Sequence, residues 1–101
     1  MATTEKKVAI ETWYMYAHPQ HQWYSTEHYE SQEAATDAAL ARMKSEIEKG
    51  YQPISLVIVR ADRHRIYDEF MVISEQYTRT TVEMISKDYV SSLKYLGKED
   101  N

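Results

Sequence analysis

Ile54-Ser-Leu-Val-Ile-Val-Arg60, followed by Arg65-Ile-Tyr-Asp-Glu-Phe-Met-Val-Ile73, is the densest run of β-branched and aromatic residues in the chain. Such side chains suit a pleated, half-buried surface, so both runs are predicted strands. The residues between them, Ala61-Asp62-Arg63-His64, are polar and few. A short connection favours antiparallel pairing because it closes with little entropy loss, and a hairpin with its tip at 61–64 is expected at the centre of the fold. Alternation along the first strand places Leu56 and Ile58 opposite Val57 and Val59. On the second, Ile66, Phe70 and Val72 oppose Tyr67, Met71 and Ile73. Strands that are apolar on both sides lie centrally in a sheet or are covered on both sides, here by helices on one and by another copy of the chain on the other.

Upstream, Lys6 to Ala17 alternates as a strand, with Val8, Ile10, Thr12, Tyr14 and Tyr16 on one face and Ala9, Glu11, Trp13 and Met15 on the other. Pro19 biases His18 away from helical angles, so 18–25 is a predicted loop, and Trp23-Tyr24 resuming an extended course would make it a hairpin tip. Ser31 to Lys49 reads as a helix. Ser31 is suited to the N-cap, Glu33 and Asp37 are placed early where the helix dipole favours negative charge, and Gly50 follows the last turn. Thr36, Ala39, Leu40, Met43 and Ile47 form the stripe expected to face the sheet.

Downstream, Thr80-Thr-Val-Glu83 fits a capping box, and Val82, Ile85, Tyr89, Leu93 and Leu96 continue at helical spacing up to Gly97. A helix from Thr80 is the preferred reading. The alternative makes 78–85 a strand through alternating Thr78, Thr80, Val82 and Met84, and delays the helix to Ser86. The expected fold is α+β, with an antiparallel sheet of three to four strands, two helices packed on one face and the order β-α-β-β-α. Residues 1–5 and 98–101 are expected to fray.

A chain of 101 residues suits one domain, since two cores of half that size would each bury too little apolar surface. With 12 basic and 16 acidic side chains the net charge is −4, which disfavours extended nucleic-acid binding because that draws on neutralised phosphates. Zero cysteines exclude disulfides and thiolate metal sites and suit a reducing compartment. No apolar run approaches the roughly 18 residues of a membrane span, so a cytoplasmic location is expected. Nine Tyr and two Trp stand against one Phe. Rings with a polar handle suit half-wet surfaces and interfaces more than a sealed core.

Four groups of residues are candidates for function. Trp13, Tyr14, Tyr16, Trp23, Tyr24 and Tyr29 form the expected binding interface, with core packing as the competing role. Arg60, Arg63, His64 and Arg65 concentrate positive charge at the expected hairpin tip, where planar guanidinium groups would suit a nucleotide or other small anion. The competing role is a solvated turn whose charges pair with Asp62, Asp68 or Glu69. With glycine only at 50 and 97, no phosphate-cradling loop accompanies the arginines. His18, His21 and His28 are weak candidates for a metal-dependent hydrolase, because their spacing matches no established ligand pattern. Asp68-Glu69, adjacent on a predicted strand, point to opposite faces and make no cooperating acid pair.

No nucleophile elbow or general acid is present, and no cofactor is expected. The leading expectation is a non-enzymatic binding protein, homo-oligomeric, that docks its aromatic surface onto a protein partner as an inhibitor or adaptor. Compact, cysteine-free chains without a catalytic motif are often encoded by phages and mobile elements, so a phage-type accessory protein is within the expectation. A nucleotide-sequestering protein is the alternative.

Overall fold

The computed structural model describes residues 6–69 and 71–90. Three strands, β1 (Lys6–Ala17), β2 (Leu56–Asp68) and β3 (Met71–Ile85), form one antiparallel sheet in the order β1-β2-β3. A single long helix, α1 (Gln32–Glu48), lies between β1 and β2 in sequence. The architecture is α+β. A second helical turn begins at Lys87 and is described as far as Val90. The predicted continuation through Leu93, Leu96 and Gly97, and the expected fraying of 1–5 and 98–101, lie outside the described residues. Among those described, no helix is long and apolar enough to cross a membrane.

β2 is the central strand, but the hairpin does not turn where its sequence suggested. Arg60 to Arg65 continue straight through the sheet, and the reversal comes after Asp68, which pairs with Met71. Glu69 takes a φ of 41°, the left-handed backbone that tight hairpin turns require. The polar run 61–64 contains nothing that forces a turn. Its charges are satisfied across the strands: Arg63 Nη2 donates to both Glu11 carboxylate oxygens at 2.8 and 2.9 Å, Thr12 Oγ1 donates to Asp62 at 2.6 Å, and Arg65 Nε donates to Glu75 at 2.8 Å. Glu69 is consequently a turn residue and not a strand residue beside Asp68.

The second correction concerns 80–85. These residues are strand, paired with β2 as far as Ile85 opposite Leu56, so the helix from Thr80 does not form. Thr78, Thr80, Thr81 and Val82 are β-branched and stiff at χ1, and a whole β2 edge stands ready to satisfy their backbone. Glu83 does not close a capping box. It accepts from Thr36 Oγ1 at 2.7 Å and from Gln32 Nε2 at 3.3 Å, tying β3 to α1. Ser86 precedes the helical turn as its cap, and its Oγ accepts from the Asp88 amide at 3.1 Å.

α1 forms as its sequence implies. Ser31 Oγ accepts from the Ala34 amide at 3.0 Å, and Gly50, at φ 85°, closes a Schellman motif in which the Tyr51 amide reaches Glu46 O and the Gly50 amide reaches Ile47 O, both at 3.0 Å. Ala35, Ala39 and Met43 are its buried residues. They pack on Leu56 and Ile58 together with Ile85 and Val90, and with partly buried Tyr14, Tyr16, Trp23, Tyr29, Leu40 and Ile47. Small alanines bring helix and sheet close together, so this core occupies only the end of the sheet that α1 covers. Farther along the same face Val8 and Ile10 are each 61 % exposed.

Candidate functional site

Alternation in β2 sends Val57, Val59 and Ala61 to the face opposite α1, where they form a second buried cluster with Met15 and Ala17. Among the described residues no helix lies over this cluster. Its cover is a layer of long side chains contributed by β1, β2, β3 and the segment 18–30. That segment folds back along the outer edge of β1, exchanging amide bonds of 2.8 Å between Tyr14 and Tyr29 and sending the Ser25 amide to Tyr16 O, also at 2.8 Å. Buried Ser25 secures it, since its hydroxyl accepts from the Tyr16 amide and donates to Glu27 O. The expected fourth strand is thus reduced to two isolated bridges, Tyr14 with Tyr29 and Ala17 with Tyr24.

The cover is a continuous strip of rings and guanidinium groups. His21 lies 5.7 Å from Tyr24, Arg79 sits 5.0 Å from the Tyr24 ring and 5.1 Å from Tyr77, and Tyr77 lies 5.6 Å from Trp13. Trp13 stacks on His28 at 5.0 Å with planes 18° apart, and Arg63 lies 5.3 Å from its centroid. Beyond Arg63 the strip becomes ionic through Glu11, Arg65 and Glu75. Cation–π contacts contribute about 0.5–1 kcal/mol each at exposed positions, so they favour this arrangement of the strip. Trp13 Nε1 and Arg63 Nε are buried within it without a hydrogen-bond partner among the described residues.

The six aromatics expected to act together are divided by the sheet. Trp13 and Tyr24 belong to the helix-free strip, whereas Tyr14, Tyr16, Trp23 and Tyr29 pack against the α1 core. There Arg42 lies 4.4 Å from the Trp23 ring, and Tyr16 and Tyr29 stack at 6.3 Å. Burial, with Glu27 close by, pushes the Tyr29 phenol above its ordinary value. Tyr77, Arg79 and Arg63 join the strip without having been expected there. Tyr77 and Arg79 alternate with Thr78 and Thr80, a period-two signal that was legible once 78–85 is taken as strand.

The cationic cluster is likewise divided. Arg63 and Arg65 share the face of the strip, and Arg60 and His64 lie on the other. Arg60 pairs with Asp62 at 3.2 Å, Arg63 with Glu11, and Arg65 with Glu75. Glu75 holds the Arg65 proton more firmly than usual. The three histidines are dispersed too: His18 Nδ1 accepts from the Gln20 amide, His21 bonds Thr81 Oγ1 and His28 stacks on Trp13. Among the described residues no group of three or more His, Asp or Glu is placed to hold a metal. An open cleft of about 290 Å³ between α1 and the end of β3 is lined by Thr36, Leu40, Glu83 and Met84 among others, with its carboxylate already engaged by Thr36.

Comparison with protein-family models, with curated proteins and with solved structures finds no match for this chain.

One electrostatic feature of the sheet has a measurable pH signature. The Thr12 hydroxyl, with Arg60 assisting, holds the Asp62 carboxyl below its ordinary value. A carboxylate depressed by folding contributes stability that is present above its unfolded pKa and disappears as pH falls through the folded one. Stability is therefore expected to decline below about pH 4. Thr12→Val should raise the Asp62 pKa toward the unfolded value and flatten that decline, as followed by carboxyl NMR titration and urea unfolding across the acid range.

Proposed function

We propose that the chain is a non-enzymatic binding protein that self-associates and docks the helix-free face of its sheet onto a macromolecular partner, as an inhibitor or adaptor. The observation that supports this is the strip running from Tyr24 through Arg79, Tyr77 and Trp13 to Arg63. Trp, Tyr and Arg dominate binding hot spots: the two rings remove large areas from water while giving up few rotamers, and Arg adds planar stacking and directed hydrogen bonds. Rings already stacked on one another have lost part of that freedom before contact, which lowers the entropy cost of association. A cytoplasmic setting is proposed from the cysteine-free composition alone.

The test is comparative affinity capture from the source cells. A protein retained by the wild type and by Tyr51→Ser, an exposed residue after α1, should be lost with Trp13→Ala and with Tyr24→Ala while both variants keep a native circular dichroism spectrum. Equal capture by all four chains, or no specific capture by any, would overturn the proposal. No observation favours sequestration of a nucleotide at Arg60, Arg63, His64 and Arg65, since the three guanidinium groups already hold carboxylates on two different faces.

A further inference from the structure

The outer edge of β3 points to a site for a second copy of this chain. Among the described residues, no backbone hydrogen bond reaches β3 from any element except β2. Long free edges are templates for strand addition, and they are usually blunted by proline, lysine, bulges or a covering loop. β3 has 15 residues without Pro, Gly or Lys. Its register with β2 shifts at Ile73 and at Val82, leaving Ser74 to Thr81 as a regular, solvent-exposed stretch between two irregularities. The edge of β1 is less open, since Tyr24 and Tyr29 close it from Tyr14 onward and its free part begins with Lys6-Lys7.

We propose that two chains pair antiparallel through this stretch about a two-fold axis at Tyr77, joining their sheets into one of six strands. In an antiparallel pair directly opposite residues share a face, and the sequence of β3 is self-complementary about Tyr77. Glu75 falls opposite Arg79 of the second copy and Arg79 opposite its Glu75, both on the face of the aromatic strip. Gln76 meets Thr78 and Ser74 meets Thr80 on the other face, pairs of small or β-forming polar residues. Centring the pair on Arg79 would instead set Arg79 against its own copy, a like-charge contact that is destabilising in a sheet. Tyr77 meeting its own copy joins the two strips end to end. The inference deepens the docking proposal, which it provides with a doubled surface, and rests on the self-association named there.

Charge exchange and cysteine pairing test it on the full chain. Native mass spectrometry and sedimentation should give a wild-type dimer. Arg79→Glu and Glu75→Arg should each raise the dissociation constant by about tenfold or more, because each sets like charges opposite one another. An equimolar mixture of the two variants should recover the dimer, since both crossed pairs are then opposite in sign. Circular dichroism confirms that each variant is folded, and recovery in the mixture is something an unfolded chain would not show. Because the chain contains no cysteine, Gln76→Cys mixed with Thr78→Cys should form a disulfide-linked dimer on oxidation, and neither should do so alone.

A wild type that stays monomeric, or a mixture that fails to recover the dimer, overturns the inference. Cross-linking through Ala9→Cys on the β1 edge in place of the 76–78 pair also overturns it. The two proposals fail separately. A monomer that still captures a protein through Trp13 removes the self-association and its edge pairing but leaves the docking, and a dimer that captures nothing removes only the docking.

Discussion

Ile58→Ala is expected to lower the unfolding free energy by about 3 kcal/mol, the range for a large-to-small change at a buried site that cannot collapse. Ile58 is fully buried on the central strand, with Tyr16 opposite it on β1 and Ala39 and Met43 in the core cluster above. Removing three of its carbons leaves a void in the cluster formed with Ala39, Met43 and Leu56. The informative control is Ile10→Ala on the same face of the sheet, six pairs farther from the helix along β1. Ile10 is 61 % exposed, so its truncation should cost about 0.5 kcal/mol or less. Urea unfolding of both variants measures the contrast. Similar losses at the two positions would mean that α1 is not the only thing burying this face in solution.

The two tryptophans are expected to separate binding from stability. Trp13→Ala should weaken the proposed partner complex by roughly thirtyfold, the effect of losing one hot-spot ring of about 2 kcal/mol. Its cost to folding should be smaller, because Trp13 roofs the second cluster without filling it. Trp23→Ala should do the reverse. That ring packs in the α1 core beneath Arg42, at 4.4 Å, and beside Tyr16 at 6.2 Å, so its loss should destabilise by about 2–3 kcal/mol and leave partner affinity unchanged. Calorimetric unfolding and titration against the captured partner check the pair. An affinity loss confined to Trp23→Ala would move the docking surface to the opposite face.

These contrasts also mark how far the sequence could be read. α1 was legible almost to the residue, because an N-cap serine, an alanine-rich stripe and a C-terminal glycine all act within a few positions of one another. β1 was legible for the same reason, its alternation being a local property. The hairpin turn was misplaced because a polar run such as Ala61-Asp62-Arg63-His64 looks alike in a loop and in a strand whose charged side chains pair across the sheet. Only Glu11, Thr12 and Glu75, from other strands, distinguish the two cases. The helix expected from Thr80 failed similarly. Its capping box was a correct local pattern overruled by the backbone pairing that β2 offers as far as Leu56.

The candidate site followed the same division. That the chain is rich in amphipathic rings was plain from composition, yet which rings act together depends on the face each one occupies. Trp13 and Tyr14 are adjacent in sequence and lie on opposite sides of the sheet. Tyr24 and Tyr77 are far apart in sequence and both lie within 5.1 Å of the same guanidinium.

By itself the sequence determined the α+β class, the helix with both its ends, the first strand and the apolar identity of the second. Each of these rests on interactions between residues a turn or two apart. Only the tertiary structure decided where the long hairpin reverses, that 80–85 is strand, and that Trp13, Tyr24, Tyr77, Arg79 and Arg63 form one surface. The physical reason is that a strand, unlike a helix, satisfies its backbone with distant partners, so its length and its neighbours are settled by what lies across the sheet.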